Sequence, residues 1–135
     1  MSSNVIIISI HPHHVAKILS GEKLYEYRKK IPIDIRYIIV YATAPVKRIV
    51  AIVEVEEVIK GSPYILWQKT KQNAGISFNF FQKYFENHED GYAIKFKRVV
   101  KLKYALSLEI LGHKHAPQSY IYIDKTIEEI RKILI

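Results

Sequence analysis

The sequence predicts an α+β protein, a small β-barrel of about five to six mostly antiparallel strands with short peripheral helices. Several segments alternate apolar and polar residues with a period of two, which is typical of half-buried strands. The helical segments between them are short, and serine, threonine or proline marks their starts. The 135 residues are 49% hydrophobic and 25% charged, the composition of a globular protein. Since no repeat or linker interrupts the chain, we expect a single domain over residues 1–135.

The chain opens with a strand and a helix. The segment Val5–Ile10 is almost entirely apolar and is predicted to be a mostly buried strand. A helix is predicted over about Pro12–Ser20, because proline favours the first helical position. Gly21 suits the left-handed conformation that often follows the last helical residue.

The stretch GEKLYEYRKK, residues 21–30, alternates like a second strand, with Lys23 at its start. Side chains two residues apart share a face, so Glu26 and Arg28 lie on one face and Lys23 lies on the other. Their spacing of about 7 Å along a strand allows the carboxylate and the guanidinium to pair. Such a pair holds the guanidinium ready for a phosphate, or the carboxylate ready to accept from the amino group of a base. From the residues alone, a purely structural ion pair is the favoured alternative.

The remaining elements follow from the same signals. Further strands are predicted at Tyr37–Thr43, Arg48–Ile59, from Gly91 onwards, Ala105–Leu111 and Tyr120–Ile123. Helices are predicted after the caps Ser62, Ser77 and Thr126. Trp67 belongs to the first of these helices and is expected to lie in the core.

The chain is strongly basic. It has 21 Lys and Arg residues against 13 Asp and Glu, a net charge of +8, and its pI is about 9.6. Such a domain is attracted to phosphate polymers. The alternative is that small proteins from AT-rich genomes are often rich in lysine. The absence of cysteine excludes disulfides, thiolate metal sites and a cysteine nucleophile. Since no segment resembles a signal peptide or a membrane span, we expect a cytoplasmic protein without a membrane partner.

Histidines are the remaining candidates for a metal site. His11 and His14 could share a helical face, and His113 and His115 could share a strand face. No acidic residue accompanies either pair at metal-ligand spacing, so we expect neither a metal nor another cofactor. His11 and His13 at the helix start are interpreted as phosphate-facing or simply exposed.

The stretch SIHPHHVAKILSGEKLYEYRKK resembles the opening of the ASCH family, the activating-signal-cointegrator homology domains of the PUA-like superfamily. The family motif Gly-x-Lys-x-x-Glu-x-Arg is matched by Gly21, Lys23, Glu26 and Arg28. The likeness continues through YATAPVK (41–47), GSPYILW (61–67), the NAGIS turn, GYAIKF (91–96) and APQSYIYI (116–123).

The resemblance implies a PUA-like barrel with a cleft beside the first helix and the Lys-Glu-Arg strand. It implies that Tyr25 and Tyr27 lie in the core while Glu26 and Arg28 face the cleft. The implied partner is RNA or a modified nucleotide, with DNA left open. The branch that the chain most resembles is described as predicted transcriptional regulators, but no helix-turn-helix segment accompanies that description here.

The resemblance adds candidate nucleic-acid-binding residues outside the motif. Thr43 and Lys47 belong to its YATAPVK segment, and the Thr43 hydroxyl could face the cleft or simply cap a turn. Gln118, Ser119 and Tyr120 match a Pro-Gln-Ser-aromatic segment of the family. An amide and a tyrosine ring suit base recognition and stacking, while a loop that only packs on the barrel is the alternative.

Two functions remain open at this stage. The favoured one is a nucleic-acid-binding module with a regulatory role. The alternative is a small hydrolase of RNA or modified nucleosides, ribonuclease-like or amidohydrolase-like, that uses Lys23 and Glu26. One ASCH subgroup hydrolyses acetylated cytidine with a lysine and a threonine, and some ASCH proteins are ribonucleases. Lys23 matches that lysine, whereas Glu26 stands in place of the threonine, so no catalytic residue is assigned.

Overall fold

The computed structural model of the chain describes residues 4–135. A mixed six-stranded sheet curls into a half-barrel with four α-helices around it. The strands are β1 (Val5–Ile10), β2 (Tyr25–Arg28), β3 (Tyr37–Ala42), β4 (Arg48–Gly61), β5 (Gly91–Leu106) and β6 (Tyr120–Tyr122). The helices are α1 (Pro12–Ser20), α2 (Pro63–Thr70), α3 (Phe78–Tyr84) and α4 (Ile127–Leu134). The predicted α+β barrel class is therefore confirmed.

The strands lie in the order β2-β5-β4-β3-β1-β6. Strands β1 and β3 run parallel, and the other four neighbouring pairs run antiparallel. A parallel pair needs a long crossover connection, and the segment containing α1 and β2 provides it. The predicted mostly antiparallel sheet is correct. None of the helices in the described range has the length and apolar character that crossing a membrane requires.

The core has a layer on each side of the central strands. Ile6 and Ile8 of β1 pack in one cluster with Val15 and Ile18 of α1. The alternate residues of β1 pack in a second cluster, which includes Ile130 of α4. Strand β1 is thus buried on both faces, which explains its nearly continuous apolar run. A third cluster joins β2 and β5 to α2 and α3.

Two predictions about individual elements are wrong. The segment Ala105–Leu111 is not a strand, because β5 ends at Leu106 and Leu108–Leu111 forms a 3-10 turn. The hydroxyl of Ser107 accepts a hydrogen bond from the backbone of Glu109 and so starts this turn. Trp67 is half-buried rather than part of the core.

The strand predicted for residues 21–30 is shorter than expected, because Lys23 precedes β2 instead of starting it. The Lys23 N–H donates to the carbonyl of Lys17 at the end of α1. The Leu24 N–H donates to the carbonyl of Asn73. These bonds take the N–H groups of Lys23 and Leu24 away from the sheet, although the Leu24 carbonyl still accepts from the Phe96 N–H of β5. The strand alternation therefore does not extend to Lys23, and its side chain lies beside Glu26.

Candidate functional site

A pocket of about 200 Å³ opens between α1, β2 and α3. We call it the charged pocket. Its lining residues are Ser9, Ile10, His11, His14, Lys23, Glu26, Tyr27, Arg28, Ile76, Phe80 and Tyr84. The three charged residues of the Gly-x-Lys-x-x-Glu-x-Arg motif therefore meet in one place, although Lys23 reaches it from outside the strand.

The charges of the pocket are joined in one buried network. Oε2 of Glu26 accepts hydrogen bonds from Nε of Arg28 at 3.1 Å and from its Nη2 at 2.8 Å. Oε1 of Glu26 lies 3.7 Å from Nζ of Lys23. The side chains of Lys23, Glu26 and Arg28 are 2%, 10% and 13% exposed. Two cationic side chains thus share one carboxylate, and the trio has an excess of positive charge.

The guanidinium of Arg28 is fixed from two sides. Its Nη2 also donates to the backbone carbonyl of Ser9 at 2.9 Å, in addition to the bonds with Glu26. No hydrogen bond joins its Nη1 to any residue in the range 4–135. A guanidinium held in this way is preorganised, because binding an anion at Nη1 requires no further ordering of the side chain.

Contacts with its neighbours also fix the position of the Lys23 side chain. Its Nζ donates to the carbonyl of Ala74 at 3.2 Å and lies 5.0 Å from the centroid of the Tyr27 ring. Burial lowers the pKa of Lys23, while the neighbouring Glu26 carboxylate opposes that effect. Gly75 packs directly against Lys23 with a φ of +71°, and a Cβ at Gly75 would collide with Cβ of Lys23.

His14 is a pocket residue that the sequence reasoning considered only as a metal ligand. Its ring meets the Phe80 ring edge-on at 5.3 Å, and its Nδ1 is buried without a hydrogen-bond partner among the described residues. Burial, together with the nearby Lys23 charge, lowers the pKa of His14 from its ordinary value, which favours the neutral imidazole. The spacing of three residues between His11 and His14 in the sequence could have indicated that both reach this site. Their ring centroids lie 6.2 Å apart.

The structure also shows what surrounds these histidines. Nδ1 of His11 accepts a hydrogen bond from the backbone of His13 and caps α1. Within residues 4–135, no group of three or more His, Cys, Asp or Glu side chains is placed to hold a metal ion. The charged, imidazole and aromatic side chains are therefore the groups of the pocket that could act on a ligand.

Two aromatic residues of α3, Phe80 and Tyr84, form a wall of the pocket. Phe80 is 50% exposed. Burial raises the pKa of Tyr84, and Nζ of Lys29 lies 4.7 Å from the centroid of its ring. The sequence reasoning missed both aromatic residues. Phe80 and Tyr84 are four residues apart and share a face of α3 that differs from the face of Phe81, and this pattern could have indicated a second aromatic surface.

The predicted residues of the YATAPVK segment lie near the pocket but do not line it. The backbone N–H of Thr43 donates to the carbonyl of Ile10, a residue of the pocket. Lys47 is exposed and has a φ of 51° in the turn before β4. Thr43 therefore fixes the turn to the pocket through its backbone, and Lys47 lies outside the pocket.

The loop that contains Gln118 and Ser119 approaches the pocket through Ser9. The carbonyl of Ser119 accepts from the Ser9 N–H at 3.3 Å, and the carbonyl of Pro117 accepts from the Ser9 hydroxyl at 2.7 Å. Gln118 and Ser119 are exposed, and Tyr120 pairs with β1 as the first residue of β6. None of these residues lines the charged pocket, so the structure brings together only the motif part of the predicted set.

Comparisons with known proteins agree on one family. The family model of the ASCH domain matches residues 8–100. An "ASCH domain-containing ribonuclease" from Zymomonas mobilis is 30% identical, covering 95% of this chain and 88% of the relative. A crystal structure of ASCH from Zymomonas mobilis has a TM-score of 0.84 at 29% identity, covering 96% of this chain and 93% of that one. The N-terminal domain of Staphylothermus marinus McrB shares the fold, with a TM-score of 0.56 at 12% identity, covering 99% of this chain and 94% of that one.

Proposed function

The chain belongs to the ASCH domain family, and from this premise we propose that it binds single-stranded RNA by seating one nucleotide in the charged pocket. The observation that carries the proposal is the geometry of Arg28. Glu26 and the Ser9 carbonyl fix its guanidinium, and Nη1 makes no hydrogen bond within residues 4–135. An RNA phosphate accepts hydrogen bonds from such a group with little further loss of conformational freedom.

The other walls of the pocket favour a nucleotide over a bare anion. Phe80 and Tyr84 offer ring faces or edges beside the charged trio, and the neutral imidazole of His14 offers a polar contact. Unpaired bases of RNA are recognised by stacking on such rings and by hydrogen bonds to their edges. The volume of about 200 Å³ is below the roughly 300–1,000 Å³ of pockets for drug-sized ligands, so we expect one nucleotide unit to enter.

A matched pair of surface variants tests this proposal. Phe80→Ala removes a pocket ring that is 50% exposed, and Tyr122→Ala removes an equally exposed ring from β6. We expect Phe80→Ala to weaken binding of a labelled single-stranded RNA by roughly 1–3 kcal/mol, the usual contribution of a base–aromatic stack. Fluorescence anisotropy titrations measure the effect. Equal affinities for the wild type and Phe80→Ala would contradict the proposal, as would an equal loss in Tyr122→Ala.

RNA cleavage is a second candidate function. A relative from Zymomonas mobilis is named a ribonuclease, and His14 contributes a neutral imidazole to the pocket. Such an imidazole could accept the proton of a ribose 2′-hydroxyl as the hydroxyl oxygen attacks the adjacent phosphorus, and the 5′-oxygen would leave with a proton taken from water. Arg28 would stabilise the charge that develops on the phosphate oxygens. Glu26 is engaged by two cations, so we assign Lys23 and Glu26 to positioning.

The cleavage candidate has a separate test. We expect His14→Gln to retain RNA binding while the rate of cleavage falls by about 10²–10⁴, the range attributed to a general base. Gel analysis of end-labelled RNA gives the rate, and the expected product carries a 2′,3′-cyclic phosphate. Acetylated cytidine, incubated in parallel, should stay intact. Cleavage at an unchanged rate in His14→Gln would assign the reaction to other groups.

A further inference from the structure

A larger groove of about 810 Å³ lies between α2 and α3. We call it the aromatic groove. We propose that it stacks the bases of single-stranded RNA that flank the nucleotide in the charged pocket, an inference that rests on the proposed RNA binding. Helix α3 contributes Phe78 and Phe81 to the groove, and Phe85 follows just after its end, while Phe80 and Tyr84 belong to the pocket. With about 3.6 residues per turn, these two sets lie on different faces of the helix.

The composition of the groove identifies its occupant. Apart from Pro63, every apolar residue that lines it within residues 4–135 is aromatic, and Leu, Ile, Val and Met do not line it. The carboxamides of Gln68, Asn79 and Gln82 lie among these rings. Rings that stack with bases, combined with amides that hydrogen-bond their edges, are typical of surfaces that bind unpaired nucleotides. An aliphatic peptide or helix would find no aliphatic partner here except the proline.

The rings of the groove are available to a ligand. Tyr64 is 74% exposed and Phe78 is 48% exposed. The Trp67 ring is tilted against Phe78 at 5.4 Å and against Phe81 at 4.9 Å, so packing fixes its orientation. Phe81 and Phe85 are buried beneath these residues. Large exposed rings beside a buried aromatic floor mark a binding surface, and fixed rings lose little conformational freedom when they bind.

The groove and the charged pocket come close to each other at the start of α3. A cavity of about 540 Å³ shares His14 and Phe80 with the pocket and extends to Ser77. The next residue, Phe78, lines the groove. A helix with its side chains is about 10–12 Å across, a distance that a few nucleotides span. Lys17 adds positive charge in the cavity, which suits a phosphate backbone. Lys83 lies at the groove together with Glu86, so the groove itself is close to neutral and its rings face the bases.

Trp67 offers a direct readout, because it is the single tryptophan of the chain. A dinucleotide should place one nucleotide in the charged pocket and leave Trp67 fluorescence unchanged. An oligonucleotide of about eight nucleotides, within the usual site size of a single-strand binder, should quench that fluorescence on binding. The double variant Tyr64→Ala/Phe78→Ala should bind the octamer at least roughly tenfold more weakly, as expected for lost stacking, and should bind the dinucleotide like the wild type.

Tyr104→Ala is the matched control, because Tyr104 is 68% exposed and lies far from the groove. It is near the last residues of β5, whereas the first residue, Gly91, pairs with Gly61 beside α2.

Saturable octamer binding without a change in Trp67 fluorescence would overturn the groove proposal and leave the pocket proposal standing. Octamer binding by the double variant at wild-type strength would do the same. Failure of the wild type to bind RNA of either length would overturn both proposals. Quenching by an apolar peptide but not by RNA would assign the groove to a protein ligand and overturn this proposal.

Discussion

The charged pocket and the aromatic groove lie on different faces of one short helix and are built in opposite ways. In the pocket, Lys23, Glu26 and Arg28 are 2–13% exposed and hold one another in place. In the groove, Tyr64 is 74% exposed and Phe78 is 48% exposed. The charged residues therefore contribute to stability as well as to the site, whereas the exposed rings of the groove are available for binding alone. Variants of the two regions should separate these properties.

The largest expected effect is the loss of stability in Glu26→Ala. The substitution leaves Lys23 and Arg28 buried without their carboxylate, and breaking a buried ion pair in this way costs about 3–5 kcal/mol. Chemical denaturation monitored by circular dichroism measures the free energy of unfolding. Glu56→Ala is the control, because Glu56 pairs with Lys95 at 2.9 Å on the surface, and it should have little effect. Equally small losses for both variants would show that the charged trio does not support the fold.

The second expected effect distinguishes a packed glycine from an unpacked one. Gly75 and Gly112 both have positive φ, +71° and +84°, but a Cβ at Gly75 would collide with Lys23 while one at Gly112 would meet nothing within 4 Å. Both alanine variants bear the backbone cost of about 1–2 kcal/mol. Gly75→Ala should lose about 1–3 kcal/mol more, the usual cost of overpacking. Equal melting temperatures for the two variants would mean that Gly75 does not press on Lys23.

Much of the fold could be predicted because its signals are local. Pro12 and Gly21 predict both ends of α1, and the capping box of Thr126 and Glu129 predicts the start of α4. The end of β5 could not be predicted in this way. The apolar residues of Ala105–Leu111 suit a strand or a turn equally well, and the Ser107 hydrogen bond decides between them.

The candidate site was predictable only where a motif contains it. The resemblance to ASCH domains brought Glu26 and Arg28 to one site, and the structure places them there. The strand alternation put Lys23 on the wrong face, because contacts with Asn73 and Gly75, about 50 residues later in the chain, hold that segment. Phe80 and Tyr84 were missed for a related reason, since a helical pattern does not show which element each face meets.

The smallest expected effect concerns His14 and pH. Burial lowers the pKa of His14 in the folded protein, so between the folded and unfolded pKa values the unfolded chain binds more protons. The free energy of unfolding should therefore rise with pH through that window, which lies below the unfolded value of about 6.5. In His14→Gln the rise between about pH 5 and pH 7.5 should be smaller. Thermal melts across this range measure it, and identical pH profiles for the His14 variant and the wild type would contradict the expectation.

The most direct test of the central claim is a crystal structure with a short oligouridine whose 2′-hydroxyls are methylated to prevent cleavage. The account predicts a phosphate oxygen within about 3 Å of Arg28 Nη1, the usual length of a charge-assisted hydrogen bond, and a base against Phe80 or Tyr84. The bonds from Arg28 to Glu26 and to the Ser9 carbonyl should persist in the complex. RNA bound only elsewhere, for example along Lys101 and Lys103 of β5, with no nucleotide in the charged pocket, would contradict the account.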